Sequence, residues 1–305
     1  MKRGTRKAGS RESELMQQAN RHRLGILMVT GSAVAYSTAG YFTRLIPLDV
    51  WTLLFWRGIF AGLFIAAILV WQNGSRSFIV LRQMGWPGLL IAALSTTGMM
   101  FFINALRLTT VADVALLFAA TPFVTALFAW LAIGETASRA TLIASAIACI
   151  GIVIMVGNAA SATNLLGSLL ALGMICAISA MMVAVRKFKQ ADMVPVSCVS
   201  SFLTALIIAP LARPLAASHA DLFHLALFGV TQLGLGLLLL TTGTQLISAT
   251  ESALISALDT PLAPIWVWLA FGEVPTSTTL LGGALVVLAV IGHILVEMRQ
   301  HPAPA

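Results

Sequence analysis

The sequence predicts an all-α polytopic membrane protein whose ten transmembrane helices form two inverted five-helix repeats around a central cavity. Three observations lead to this fold class: the composition, the number of long apolar windows, and a repeat within the chain. The 305 residues are 59% hydrophobic and only 10% charged, and the mean hydropathy is +0.94. A soluble domain carries about 25% charged residues, so a soluble globular fold is excluded.

The apolar windows give the number of membrane spans. A helix needs about 20 apolar residues to cross a hydrocarbon core ~30 Å thick. We number the predicted spans one to ten in chain order. They lie at about 24–43, 49–71, 84–106, 111–133, 139–157, 165–185, 193–212, 222–246, 250–271 and 277–297.

The basic residues predict the orientation of the chain. Seven of the 18 Lys and Arg residues lie in the first 23 residues, and most of the others flank apolar windows. If the N-terminus is cytoplasmic, fourteen fall on the inner side and three on the outer side, as the positive-inside rule requires. This distribution accounts for the net charge of +7 without a nucleic-acid partner, and it predicts that both termini are cytoplasmic. The polar segment before span one has no apolar run, so we expect no cleaved signal peptide.

A repeat with an offset of 138 residues links two parts of the chain. The letters ADVALL at 112–117 match TESALI at 250–255, and WLAIGE at 130–135 matches WLAFGE at 268–273. Each copy holds five spans, and an odd number gives the two copies opposite orientations in the membrane. The predicted organisation is a basic cytoplasmic tail at 1–23, five-helix repeats at 24–157 and 158–297, and a cytoplasmic tail at 298–305.

Asp259 is the deepest acidic residue of the predicted bundle. It lies about nine residues into span nine, ~13 Å along a helix that rises ~1.5 Å per residue, and so close to the middle of the hydrocarbon. Pro261 and Pro264 follow it and lack a backbone N–H, so we expect the carbonyl groups four residues before them to be free beside the carboxylate. Pro122 has nearly the matching place in span four. These three prolines predict kinks that act in gating.

Two further ionisable residues lie within predicted spans. A charged side chain in hydrocarbon costs ~2.5 kcal/mol or more unless it is paired or hydrated. Arg57 in span two is interpreted as a structural residue that bonds carbonyl groups at a helix crossing or pairs with Asp259, and substrate binding is the alternative. His293, near the inner end of span ten, is interpreted as a hydrogen-bonded core residue, and a proton relay is the alternative.

Uncharged polar and aromatic residues at similar depth form a second candidate set. Hydroxyl, amide and soft apolar groups around a cavity suit a small polar molecule with an aromatic or apolar side chain. Each residue also has a simpler explanation, a hydrogen bond or plain packing between helices. Together with Asp259, the candidate substrate-binding residues are Tyr36, Ser37, Tyr41, Thr96, Met99, Phe101, Ser179 and Gln232.

Several other motifs are interpreted as architecture. Two pairs have the S/T-x-x-D/E spacing of helix N-caps, two glutamates follow a glycine that can end a helix, and one glycine pair has the G-x-x-x-G spacing of closely packed helices. These residues are, in that order, Thr110 with Asp113, Ser248 with Glu251, Glu135 and Glu273, and Gly58 with Gly62.

Motifs of membrane enzymes and pumps are absent from the sequence. It contains no phosphate-binding G-x-x-x-x-G-K-S/T loop, no H-E-x-x-H zinc motif, and no second deep aspartate. Its three cysteines lie in apolar windows without paired spacing. We therefore expect no catalytic residues, no metal and no cofactor.

The ten spans, the two inverted halves and the WLAIGE and WLAFGE endings resemble the drug/metabolite transporter superfamily, in its EamA-type branch. The segment FWRGIFAG at 55–62 is similar to the YddG-type exporters of aromatic and other hydrophobic amino acids within that branch. The resemblance implies a bacterial inner-membrane transporter, with substrate held in a cavity between the halves and exposed to either side in turn. Span seven has no arginine matching Arg57, so a role of that residue does not extend to the second half.

The function that follows is export of small metabolites, most favourably aromatic or hydrophobic amino acids, by alternating access at a site near the midplane. Asp259 is expected to bind the substrate ammonium group, and hydroxyl groups and Gln232 to receive the carboxylate. Proton antiport through Asp259, with His293 in reserve, and uncoupled facilitation both remain open. The competing functions are a multidrug exporter of lipophilic cations and, more remotely, an intramembrane enzyme.

Overall fold

The described part of the chain consists of helices joined by short turns, with no strand among those residues. In this computed structural model, the described residues are 2–108, 114, 117–156, 165–272 and 274–300. The α-helices are α1 (Lys2–Ser37), α2 (Ala39–Leu45), α3 (Val50–Asn73), α4 (Ser77–Gln83), α5 (Gly85–Leu108), α6 (Thr121–Ile133), α7 (Arg139–Val156), α8 (Leu165–Lys187), α9 (Met193–Ile208), α10 (His219–Phe228), α11 (Gly236–Leu246), α12 (Ala249–Ser256), α13 (Asp259–Phe271) and α14 (Ser277–Gln300). A π-helical segment, Gly229–Leu235, joins α10 to α11.

The helices confirm an all-helical polytopic membrane protein. Within the described ranges, seven helical stretches are long and apolar enough to cross a membrane, and two shorter apolar helices lie at Thr121–Ile133 and Arg139–Met155. The first predicted span corresponds to α1 and α2, which are separated at Thr38. The predicted cap at Thr110 and Asp113, the boundary at 157–164, and Glu273 lie outside the described residues.

Two helices begin directly after a single aspartate, α3 after Asp49 and α9 after Asp192. The Asp49 carboxylate accepts hydrogen bonds from the backbone N–H groups of Trp51 and Thr52, at 3.0 and 3.1 Å. The Asp192 carboxylate accepts one from the N–H of Val194, at 3.0 Å. Each aspartate therefore satisfies donors that α3 and α9 leave unpaired in their first turns.

The structure confirms that the glycines of the WLAIGE and WLAFGE motifs end helices. α6 ends at Gly134 and α13 at Gly272, with φ of 66° and 71°. Other residues reach this left-handed conformation only at a cost, so glycine ends both helices. After α6, the Glu135 carboxylate pairs with Arg186 on α8 at 3.1 Å, so it ties the turn to α8 and not to the helix that follows.

Four helix pairs form most of the bundle: α7 with α14, α5 with α8, α3 with α9, and α1 with α11. Each pair joins a helix before residue 157 to one after residue 164. Helices in a bilayer are held by close van der Waals packing, which small residues permit. A methyl group on Gly151 of α7 would lie only 2.7 Å from the carbonyl oxygen of Gly282 on α14.

The predicted G-x-x-x-G contact is confirmed on α3. A methyl group on Gly58 would lie 3.0 Å from the Cβ atom of Ala205, and one on Gly62 would lie 2.8 Å from the ring of Phe202. Both partners belong to α9. The two glycines therefore set the close approach of α3 and α9.

Regular helix geometry is interrupted at several places in the part of the chain that the structure describes. α1 ends before Thr38, residues 119–120 form a turn before α6, residues 257–258 form a turn before α13, and the π-helical segment lies between α10 and α11. The expectation of a free carbonyl at Ala257 is wrong, because the N–H of Thr260 donates to it at 3.3 Å. The tighter turn replaces the bond that Pro261 cannot make.

Candidate functional site

Arg57 is a buried cation whose contacts with the described residues are all to uncharged groups. It lies within α3 and is 7% exposed. Its Nη1 atom donates to the Oε1 atom of Gln232 at 3.2 Å, its Nη2 atom donates to the sulfur of Met99 at 3.6 Å, and its Cζ atom lies 5.5 Å from the ring centre of Phe228. Its Nε atom has no hydrogen-bond partner among the described residues. Arg57 does not form the ion pair with Asp259 that the sequence left open.

Asp259 lies directly after the turn at residues 257–258, at the first position of α13. It is half-buried, and its carboxylate accepts a hydrogen bond from the Thr260 hydroxyl at 3.0 Å. Among the residues that the structure describes, no cation lies within ion-pair distance of it. The phenol group of Tyr36 on α1 interacts electrostatically with both Arg57 and Asp259. The two opposite charges are therefore near one side chain without neutralising each other directly.

Gln232 reaches Arg57 from the π-helical segment, which packs against α1 and α3. Its side chain is buried. A methyl group on Gly229 would lie 2.7 Å from the carbonyl oxygen of Arg57, so glycine brings this segment close to α3. π-Helical turns inside α-helices are frequent at functional sites. The structure thus brings two predicted residues, Met99 and Gln232, into contact with Arg57, and a third, Tyr36, interacts with it electrostatically.

Ser37 is joined to this region through a residue that the sequence reading missed. Its hydroxyl oxygen accepts a hydrogen bond from the indole N–H of Trp266 on α13, at 2.8 Å. Trp266 lies near the end of span nine, where tryptophans at the membrane interface are common, so its place in the span does not by itself indicate a site. Its position seven residues after Asp259 puts both side chains on one helical face, and that spacing was the available signal.

Two predicted hydroxyl groups lie at other helix contacts. Ser179 on α8 accepts a hydrogen bond from the Thr125 hydroxyl on α6 at 2.9 Å. Thr96 on α5 accepts one from the Thr204 hydroxyl on α9 at 3.4 Å. Both predicted residues are buried. Both contacts are hydrogen bonds between helices, which is the alternative to substrate binding that the sequence left open for these residues.

The two remaining aromatic candidates also pack away from Asp259. Phe101 on α5 covers Gly173 on α8, where an added methyl group would lie 3.1 Å from the ring. The Tyr41 ring lies 5.8 Å from the ring of Phe271, at the far end of α13 from Asp259. Neither has a described contact with Arg57 or Asp259.

The predicted prolines lie at the helix breaks. Pro122 and Pro261 are buried in the first turns of α6 and α13, and Pro264 lies in the interior of α13. A methyl group on Gly283 of α14 would lie 3.1 Å from the Cβ atom of Pro261. The broken region of α13 is therefore packed directly on α14.

An apolar groove of about 690 Å³ lies elsewhere, between α3, α4 and α9. Its walls include Phe55, Phe78 and Phe202, and none of the charged residues described above lines it. Such a surface suits lipid chains better than a polar substrate. Within the described residues, no group of three His, Cys, Asp or Glu side chains is arranged to hold a metal ion.

Two comparisons with known proteins found a match, one to the sequence model of a family and one to the fold of a solved structure. The model of the EamA-like transporter family matches residues 23–157 and 165–295. A solved structure titled "Crystal structure of protein" is similar with a TM-score of 0.78 and 19% identity, over 90% of this chain and 98% of the other. That likeness concerns the fold alone. No curated protein matches the sequence. Because the family model covers most of the chain, the protein belongs to the EamA-like transporter family and is a membrane transporter.

Proposed function

We propose that the protein exports zwitterionic amino acids with aromatic or hydrophobic side chains, by alternating access, across the inner membrane of a bacterium. Both termini would be cytoplasmic, as the excess of basic residues near the N-terminus and the inner loops requires. The observation that carries this proposal is the unneutralised pair of opposite charges at Arg57 and Asp259.

Arg57 supports a substrate with a carboxylate. A guanidinium group buried in a bilayer is expensive unless a counter-charge or water compensates it, and its described partners are all neutral. A planar guanidinium also binds carboxylates through paired hydrogen bonds. A substrate carboxylate would therefore be stabilised here, whereas a lipophilic cation would be repelled.

Asp259 supports an ammonium group at the other end of the same substrate. Its one described hydrogen bond comes from Thr260, and its carboxylate retains capacity for further donors. Tyr36 can donate to a ligand placed between the two charges. The predicted contribution of Met99, Phe101 and Tyr41 is an apolar surface for the substrate side chain.

Irregular backbone supports a site near the middle of the membrane. Non-helical backbone at membrane depth is tolerated where it lines a cavity or is buried in protein, and broken helices mark the substrate sites of many transporters. The turns before α6 and α13, the end of α1 and the π-helical segment all occur within apolar stretches. We propose that Pro122, Pro261 and Pro264 act as bending points there.

The packing pattern supports two inverted halves, 24–157 and 158–297. If span one corresponds to span six and span three to span eight, the contact of α1 with α11 becomes the contact of α8 with α5. The pairs α3 with α9 and α7 with α14 join each helix to its own counterpart. A two-fold exchange of the halves therefore reproduces the observed neighbours, as rocking about a central site requires.

Counterflow of labelled phenylalanine in proteoliposomes tests the proposal. Arg57→Gln and Asp259→Asn should each weaken phenylalanine binding by about 10- to 150-fold, since each removes one charge-assisted hydrogen-bonding partner worth ~1.5–3 kcal/mol. Arg57→Lys keeps the charge and should retain part of the affinity. The exposed Arg76→Gln serves as the control outside the site.

Two results would reject this function. One is normal phenylalanine affinity in folded Arg57→Gln and Asp259→Asn variants. The other is transport of tetraphenylphosphonium that phenylalanine does not inhibit, which would favour the exporter of lipophilic cations.

A further inference from the structure

Three ionisable side chains from three different helices, α1, α12 and α14, lie close together near the start of α12. The Oε1 atom of Glu251 on α12 lies 3.3 Å from the Nε2 atom of His22 on α1 and 3.6 Å from that of His293 on α14. Glu251 and His293 are 4% and 3% exposed. A carboxylate buried in this way needs a cation, and an imidazole becomes one by binding a proton near neutral pH.

Helix capping explains Ser248 but not the direction of the Glu251 carboxylate. The Ser248 hydroxyl oxygen accepts a hydrogen bond from the Glu251 N–H at 3.0 Å, as the predicted spacing requires. In a complete capping box the acid also bonds back to the capping residue, as Asp221 does to Ser218 before α10. In Glu251 the Oε1 atom faces two imidazole rings instead.

His293 does not make the core hydrogen bond that the sequence led us to expect. Neither ring nitrogen has a hydrogen-bond partner among the described residues, although the ring is buried. A proton on this imidazole would create an ion pair with the Glu251 carboxylate.

The charge of the cluster depends on how many protons it holds. With both imidazoles neutral it is negative, with one proton it is neutral, and with two it is positive. Burial favours the neutral state. We propose that Glu251, His22 and His293 form a proton-binding site that ties α1 to α12 and α14 when it holds a proton and loosens them when it does not.

This inference rests on the proposed transport function and adds its energy source. α1 lies before residue 157, and α12 and α14 lie after residue 164, so the site spans the interface that alternating access must open. Glu251 precedes Asp259 by eight residues, ~12 Å along a helix. The substrate charge and the coupling proton then occupy separate sites, and Asp259 need not bind both.

Other charged and titratable groups lie on the helices around the cluster. Glu135 is held by Arg186, which also donates to the carbonyl of Gln245 at 3.0 Å, and arginine keeps its charge at every relevant pH. Among the residues whose side chains the structure describes, the other titratable or charged groups on the elements around α12 include Arg21, Arg23 and Tyr36 on α1, Arg139 and Cys149 on α7, Cys176 and Lys187 on α8, Lys189 after α8, and Asp259 on α13.

The full chain in proteoliposomes tests the inference with phenylalanine as the probe. In the wild type, an imposed pH gradient should accumulate phenylalanine, and counterflow should change by up to about tenfold per pH unit where one proton controls it. The double variant His22→Gln with His293→Gln should keep phenylalanine counterflow but lose both accumulation and the pH slope. Each single variant should show a reduced slope.

Glu135→Gln is the matched control. It removes the ion pair with Arg186, which lies at the same end of the bundle but does not involve an imidazole. It should keep accumulation and the pH slope. Calorimetry of phenylalanine binding to the wild type in two buffers with different ionisation enthalpies adds a measurement that needs no variant, and it should detect a change in bound protons.

The possible failures are distinguishable. Accumulation that persists in the folded histidine variants, or is lost equally in Glu135→Gln, overturns the proton site. So does wild-type counterflow without any pH-driven accumulation or proton exchange, which leaves the transport function intact. Absence of phenylalanine counterflow in the wild type overturns the transport function itself.

Discussion

The two halves of the chain share the way in which their helices begin and end, but they differ in the charged residues that they bury. Arg57 lies eight residues after the capping Asp49, and Ser200 lies eight residues after the capping Asp192. With the repeat offset of 138 residues, Asp259 corresponds to Thr121. The aspartate-capped helix starts and the glycine ends of α6 and α13 recur in both halves, whereas the two deep charges occur once each.

This difference distinguishes the residues that pack the helices together from the two buried charges. Close backbone approach depends on small residues at fixed places, and a change there disturbs two helices at once. In the proposed site, one cation from the first half and one anion from the second would give two unlike ends, as a zwitterion requires.

Ser200→Arg would give the second half an arginine at the position that corresponds to Arg57. Of the changes considered, it should have the largest effect on stability. Ser200 is 3% exposed, and an added guanidinium there would be a second buried cation without a described acid nearby. We expect a loss of ~2.5 kcal/mol or more in folding free energy, seen as a small fraction of monodisperse protein and a lower melting temperature in detergent.

Ser200→Ala is its control and should be nearly neutral. If Ser200→Arg folds and transports phenylalanine normally, the single arginine is not a requirement of this site, and the proposed division between the halves is wrong.

Gly151→Ala probes the shared packing and should have an intermediate effect. The added methyl group meets the carbonyl oxygen of Gly282 at 2.7 Å and the side chain of Val286 at 2.8 Å, so α7 and α14 must separate. Overpacking of this kind costs ~1–3 kcal/mol. Thermal unfolding in detergent should show the loss.

Gly292→Ala on α14 is the comparison, because an added methyl group there has no neighbour within 4 Å. It should be neutral or slightly stabilising, since alanine favours helix over glycine. Equal losses in the two variants would mean that α7 and α14 do not touch as described.

Asp49→Ala and Asp192→Ala compare the two caps and should have the smallest effects, ~1 kcal/mol each. Asp49 should cost more, because its carboxylate also accepts a hydrogen bond at 2.7 Å from the Thr52 hydroxyl. The oxygen of that hydroxyl accepts a hydrogen bond from the Arg213 N–H at 2.8 Å. Equal melting temperatures for the two variants would contradict the added contacts.

Acid should remove the contribution of Asp49. Burial raises the pKa of its carboxyl group, but hydrogen bonds from Thr52 and Trp51 and the charge of Arg213 outweigh burial and hold the pKa below its ordinary value. A lowered pKa in the folded state stabilises the protein above the unfolded pKa of about 4, and this stability is lost as the pH falls below it. The wild type and Asp49→Ala should therefore approach each other in melting temperature at acid pH.

The sequence predicted the features that local chemistry controls. Apolar length located the helices, Ser248 located the start of α12, glycines located the ends of α6 and α13, and Gly58 and Gly62 located a close contact. These signals are read within a few neighbouring residues, so no knowledge of the partner helix was needed.

Contacts between distant residues were not predictable in the same way. Glu251 was interpreted as a cap because Ser248 lies three residues before it, and nothing local connects it to His22. The depth of Arg57 was clear, but its neutral partners, Gln232 and Met99, depend on how α3, α5 and the π-helical segment meet. The bond that occupies the Ala257 carbonyl depends on a turn tighter than an α-helix.

The pairing of helices has a consequence for biosynthesis. α7 packs on α14, α3 on α9, and α1 on α11, so each of these early helices emerges from the ribosome long before its partner. Contacts between residues far apart in sequence form slowly. The first five spans should therefore remain loosely associated in the membrane, and accessible to insertion factors and proteases, until translation is almost complete.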